Sequence, residues 1–191
     1  RHGGRTAGEW VAALADDDAW KVYEATTALK AMGPAAVPAL IAATSHDDRR
    51  VRLGAARTLG ETGGPGAAAT LARMVERDAV FSNRLHAAIG LSQLSAGDRE
   101  ARDVLAALVA KLGAMIESAD AEAAGDAGRL LGSIGEPARE TLMAKLAHPR
   151  PEVGIRATHE LDSLKTGVLP ALAKAADDRE GQVRAAAVAV L

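Results

Sequence analysis

A motif of about a dozen residues recurs along this chain at near-constant spacing, and that recurrence limits the fold more than any other feature. The template is Val51-Arg52-Leu53-Gly54-Ala55-Ala56-Arg57-Thr58-Leu59-Gly60-Glu61-Thr62-Gly63. Related stretches run from Val22 to Gly33, from Arg84 to Leu91, from Ala127 to Gly135, from Val153 to Leu161 and from Val183 to Leu191. Anchored on the Val51 position, the copies fall at 22, 51, 83, 123, 153 and 183, with steps of 29, 32, 40, 30 and 30 residues. A period of this size marks stacked supersecondary units that cannot bury their apolar faces alone.

Each unit reads as two helices. Val51, Ala55, Ala56 and Leu59 lie at i, i+4, i+5 and i+8, one face of a helix. Asp47 or Asp48 can cap that helix by accepting from its free N–H groups. Glycine then ends it and proline follows, as in Gly33-Pro34, Gly63-Gly64-Pro65 and Gly135-Glu136-Pro137, the usual asymmetry of helix ends and starts. Second helices are predicted over Ala35–Thr44, Ala67–Arg77, about Arg102–Ser118, Ala138–Ala147 and Val168–Ala176. The predicted fold is all-α, a superhelical solenoid of about five hairpins plus a partial sixth. It forms one domain over 1–191, with repeats at about 16–46, 47–77, 78–119, 120–148 and 149–176, and a partial copy at 177–191. The third unit is longest, and its extra residues include Ser95 to Arg99; they lengthen the second helix or form an insertion on a binding face.

The pattern Asp47-Asp48-x-x-Val51-Arg52-x-x-Ala55-Ala56-x-x-Leu59-Gly60-x-x-Gly63, with Ala35-Ala36-Val37-Pro38-Ala39-Leu40-Ile41, resembles HEAT repeats of the short kind also found in phycobilisome-lyase-like proteins. The resemblance covers about residues 16 to 191. It implies a stack whose second helices line a concave face, and a ladder pairing capping aspartates with arginines. Tyr23 and Ala124 stand where the family prefers arginine, so two rungs of that ladder are expected to be missing. Residues 1–15 resemble the lead-in segment of some bacterial HEAT proteins. Thr6 and Glu9 have capping-box spacing, and Trp10 and Leu14 are expected to cover the exposed face of the first unit.

Composition supports helices and narrows the chemistry. The chain is 48% hydrophobic, largely alanine, and only 2% aromatic; alanine is the best helix former and permits close helix approach. The net charge of −2 lacks the overall basic excess usual in a nucleic-acid-binding domain. Without cysteine there is no disulfide, thiolate metal site or cysteine nucleophile. No run of 18 apolar residues suggests a membrane span. The chain starts at Arg1 and stops inside an apparent helix, so a piece of a longer protein is expected. The compartment stays open, with the cytoplasm favoured and an extracytoplasmic place open to a parent chain carrying a signal or anchor.

The polar residues have structural explanations. His46 and His148 each precede an anchor valine by five positions and so belong to the same inter-unit turn. Ser45-His46-Asp47 are neighbours, whereas a catalytic triad converges from separated positions. Gly63-Gly64-Pro65-Gly66 lacks the lysine of a phosphate loop. Asp16-Asp17-Asp18 lacks calcium-loop spacing and reads as a cap. Trp10, Trp20, Tyr23 and Phe81 are expected in core or cap packing, with Trp20 and Tyr23 on one face. No catalytic residue, metal or cofactor is expected. The candidate binding residues are Arg73, Arg77, Lys111, Lys145 and Lys174 on the second helices, a mildly basic face suited to an acidic peptide or protein segment. The expected function is a non-enzymatic scaffold that binds a protein partner or another domain of its own chain. The alternatives are a bilin-lyase-like or chromophore-chaperone subunit and a nucleic-acid-binding helical-repeat module.

Overall fold

A computed structural model describes residues 2–163. A short helix α1 (Ala7–Ala12) and a 3-10 turn (Ala13–Ala15) lead into helix pairs. These are α2 (Ala19–Met32) with α3 (Val37–Ala43), α4 (Arg49–Thr62) with α5 (Ala67–Arg77), α6 (Phe81–Ser95) with α7 (Arg99–Met115), and α8 (Ala121–Ile134) with α9 (Arg139–Lys145). Helix α10 (Pro151–Ser163) follows. Among the described residues the only β pairing is an isolated bridge between His2 and Arg5. The chain divides into two compact units, 1–105 and 106–191. The predicted helix Val168–Ala176 and the partial sixth repeat lie outside the described residues.

Helix starts and stops follow local chemistry. Asp18, Asp48 and Asp120 stand just before α2, α4 and α8, and each accepts from the backbone N–H two residues on, at 2.9, 2.8 and 2.9 Å. These bonds satisfy N–H groups that the first turn leaves free. At the other end, Gly63 ends α4 with φ of 68°, in the half of φ space that side chains with a Cβ resist. Gly33 and Gly135 do the same after α2 and α8. The extra residues of the third unit make a longer helix rather than a loop. Only Ala96-Gly97-Asp98 separate α6 from α7, which at 17 residues is the longest described helix.

In the first unit, α4 packs closely on α6, α5 on α6, and α3 on α4. The predicted face of α4 is the buried one: Val51, Ala55, Ala56 and Leu59 are at most 1% exposed. With Leu29, Leu40, Leu71, Val75 and Leu91, which are also buried, they form a leucine and alanine core. Each such leucine contributes about 1.5–3 kcal/mol of transfer free energy. The α4 and α6 backbones touch at two glycines: a Cβ built on Gly60 would lie 2.5 Å from the Gly90 Cα. In the second unit, α10 packs on α8 and α9 around Ile116, Leu130, Leu131, Leu142 and Leu161.

The lead-in segment departs from expectation in reach. Its capping box forms: Thr6 N–H donates to the Glu9 carboxylate at 2.7 Å, and Glu9 N–H to the Thr6 hydroxyl at 3.3 Å. Trp10 is buried, its indole N–H donating to the His2 carbonyl at 3.2 Å. Helix α1 lies on α2 and α3 as predicted, but the segment also reaches the second repeat. There Leu14 meets α4 where Gly54 leaves room, 3.1 Å from the position a Cβ would take.

The aromatic expectation fails for two residues. Trp20 and Tyr23 are 65% and 61% exposed, not in a core or under the cap. They do share a face, with ring centroids 5.5 Å apart. The reason is register: Ala25, Ala28 and Leu29 occupy the buried stripe of α2, which leaves positions 20 and 23 pointing away from it. Alanine and leucine fill that buried face.

Candidate functional site

The turns between repeats hold most of the charged side chains that sequence reading singled out. His46 Nδ1 accepts from the Asp48 N–H at 3.0 Å, and His148 Nδ1 accepts from the Arg150 N–H at 3.2 Å. The two histidines therefore do the same job, as their shared position predicts: each closes a turn two residues long. Asp16 closes another, accepting from the Asp18 N–H at 2.9 Å. That bond first, and then Lys21 at 3.2 Å, hold the Asp16 carboxyl below its ordinary range. Asp48 is lowered in the same way by the Arg50 backbone N–H and then the Arg50 side chain.

Two struts are more elaborate. Arg52 on α4 forks onto Asp78, just past α5, at 2.8 and 3.2 Å, while its remaining nitrogen donates to the His46 and Asp47 carbonyls at 2.8 and 2.9 Å. Asp78 also accepts from the Val80 N–H at 2.9 Å and from the Asn83 amide, which reaches back to the Arg49 carbonyl at 3.2 Å. Burial works against the Asp78 charge, but the Arg52 fork, the Val80 N–H and Asn83 outweigh it, and the carboxyl is held below its ordinary value. This is one rung of the expected aspartate–arginine ladder. Tyr23 and Ala124 occupy the equivalent arginine positions, and Ala124 is fully buried. In the second unit Glu117, in the turn after α7, pairs with Lys145, and His148 Nε2 lies 3.5 Å from its carboxylate. Lys145 first, with His148 adding to it, lowers the Glu117 carboxyl.

Among the five predicted binding residues, the structure brings two together. Thr70, Arg73, Met74 and Arg77 fall at i, i+3, i+4 and i+7, one stripe of α5. That stripe forms a wall of an open cleft of about 440 Å³, whose other side is Thr44, Ser45, His46 and Asp47 beyond α3. The Arg52–Asp78 pair closes one edge. Arg73 and Arg77 are exposed and, among the described residues, have no ion pair or hydrogen bond. Lys145 is instead tied to Glu117, Lys111 belongs to the second unit and is itself engaged, and Lys174 lies outside the described residues. Sequence reading missed the hydroxyls and His46 as lining, because they reach the cleft from a separate hairpin. Among the described residues no group of three His, Asp or Glu side chains could hold a metal ion, and no helix is long and apolar enough to cross a membrane.

No curated protein matches the chain. Among solved structures it is similar to an engineered protein at 20% identity, covering 97% of this chain and 94% of that one, with a TM-score of 0.48. It is also similar to a chain in the complex of CpcE and CpcF of phycocyanin lyase from Nostoc sp. PCC7120, at 25% identity over 98% and 77% of the two chains, TM-score 0.47. A designed armadillo repeat protein in complex with the peptide (KR)4 matches at 17% identity over 97% and 98%, TM-score 0.44. The family model for HEAT repeats matches residues 8–92 and 109–191, most of the chain and every described helix pair in part or whole. With its paired helices, three of the first helices capped by aspartate and closed by glycine, the chain belongs to the HEAT-repeat family.

Proposed function

We propose that residues 1–191 form one HEAT solenoid that acts as a non-catalytic scaffold, binding a protein partner or another domain of the same chain. HEAT solenoids commonly serve as protein-interaction scaffolds, and fold alone does not fix function, so the site has to carry the reading. One observation does so. Several side chains able to do acid–base or ligand chemistry, among them His46, His148, Asp48, Asp78 and Glu117, are already engaged in turns and struts. Two arginines without a partner among the described residues, Arg73 and Arg77, line an open cleft beside α5 instead. A shallow surface lined by long side chains suits an extended segment of another protein better than an enclosed small molecule.

The test is capture from a native lysate with the whole chain as bait, followed by reconstitution of each enriched protein with the purified chain. A complex of fixed stoichiometry in analytical ultracentrifugation is the expected result. Two outcomes would overturn the proposal: tight duplex DNA binding that weakens steeply with salt, or stoichiometric uptake of a linear tetrapyrrole seen as a visible absorbance change; no enriched protein would point to another domain of the same chain as the partner.

A further inference from the structure

We infer that the cleft beyond α3 and α5 is an oxyanion anchor: it takes one carboxylate- or phosphate-bearing side chain from a peptide segment of the partner. The inference rests on the scaffold proposal for the kind of molecule that brings the anion. Its own support is the donor set. Arg73 and Arg77 stand one turn apart on the same stripe of α5, both exposed and both without a partner among the described residues. Thr70, on the same stripe, and Ser45 and His46, on the facing hairpin, add hydroxyl and imidazole groups to the lining. Two guanidinium forks with neighbouring hydroxyls match the planar and tetrahedral oxygen arrays of carboxylate and phosphate.

A competing explanation for Arg77 is that a cation in the last turn of a helix offsets the negative end of the helix dipole. It does not extend to Arg73, which lies a full turn earlier. Several of the carbonyls that could repel an anion here are also occupied. Ile41 O accepts from the Thr44 hydroxyl at 2.7 Å, His46 and Asp47 carbonyls from Arg52, and Val75 O from Arg84 at 2.8 Å. The Asp78 charge is matched by Arg52. Among the lining side chains, the charge left against an anion is that of Asp47, an exposed carboxylate on the cleft wall. That residue makes the inference testable in the gaining direction.

The experiment is fluorescence anisotropy with the full chain and three labelled decapeptides: one rich in glutamate, one rich in glutamine, and the glutamine peptide carrying a single phosphoserine. At least one anionic peptide is expected to bind ten times or more tighter than the glutamine peptide, and whichever is tighter names carboxylate or phosphate as the source. Arg73→Gln with Arg77→Gln is expected to erase that margin, and Arg57→Gln, on an exposed face of α4, to preserve it. Asp47→Asn is expected to tighten the anionic peptide several-fold, a gain that misfolding cannot produce. Equal binding of all three peptides, a margin that survives the double substitution, or an Asp47→Asn variant no tighter than the parent would each overturn the anchor. None of these would touch the scaffold proposal, whose capture assay assumes no charge on the partner.

Discussion

Arg52 and Asp78 are 26 residues apart in sequence, and they meet through two side-by-side N–H···O bonds of 2.8 and 3.2 Å, with the Asp78 side chain only 3% exposed. The pair ties the first helix of the second repeat to the turn that opens the third. Removing one member leaves the other charged and largely desolvated, which costs far more than the pair contributes. Asp78→Ala is therefore expected to destabilise the chain by about 3 kcal/mol, read as a shift in the urea midpoint at unchanged slope. Asp17→Ala, which removes a carboxylate paired to Arg50 while 96% exposed, is expected to cost no more than about 0.5 kcal/mol. Similar losses for the two substitutions would count against Asp78 as the central strut.

The same carboxylate makes a prediction about acid. Folding holds Asp78 below its ordinary value of 3.8, so the folded chain binds fewer protons than the unfolded one over that range. The contribution is complete above the unfolded value and is lost as pH falls through the lower, folded one. The stability difference between the parent and Asp78→Asn is expected to stay constant from about pH 7 to about pH 4 and to shrink below that. Asp16, Asp48 and Glu117 are lowered too, but they are present in both proteins and cancel in the difference. Urea titrations across that range check it; a difference that grows towards low pH would reverse the assigned sign.

Glycine pairs should divide sharply by position. Gly60→Ala puts a Cβ 2.5 Å from the Gly90 backbone, and no side chain can rotate away to relieve it. Overpacking of this kind is expected to cost about 1–3 kcal/mol, more than the roughly 1 kcal/mol that alanine gains over glycine in a helix interior. Gly125, within α8, has nothing within 4 Å of the same point. Gly125→Ala should therefore stabilise by about 0.5–1 kcal/mol. Thermal melts of the two variants, one down and one up, form the test.

Tryptophan fluorescence separates the two indoles. Trp20 is 65% exposed and Trp10 is 9% exposed. Trp20→Phe is expected to remove the red-shifted, iodide-quenchable part of the emission and to change stability by less than about 0.5 kcal/mol, as surface substitutions do. Trp10→Phe should leave the quenchable part in place and lower the melting temperature. If the emission lost with Trp20 were blue and unquenched, the exposed pairing with Tyr23 would be wrong.

Where the chain was legible, periodic burial and local capping were the cause. Val51 to Leu59 announced a buried face, Asp48 a cap and Gly63 a stop, because each depends on residues within one turn. His46 and His148 were placed by their shared offset from the anchors. Trp20 and Tyr23 were misplaced because spacing shows that two residues share a face but not which face is covered. That choice was made by Ala25, Ala28 and Leu29. The reach of Leu14 to Gly54 and the Gly60–Gly90 crossing each join residues tens of positions apart, and nothing local encodes them; the Arg52–Asp78 fork was expected only through the ladder that the family resemblance implied. For the cleft, α5 alone supplied Arg73 and Arg77, while the opposite wall comes from the preceding hairpin. The commitment of Lys145 to Glu117 was likewise hidden, since the two lie 28 positions apart.

The crossing at Gly60 and Gly90 has a mechanical side. Most contacts between stacked helices run through side chains, which can slide or change rotamer when a load is applied. Here two main chains rest on each other with nothing interposed. The second and third repeats are thus riveted at that point, and a load that flexes the first unit has to be taken up at joints where side chains intervene.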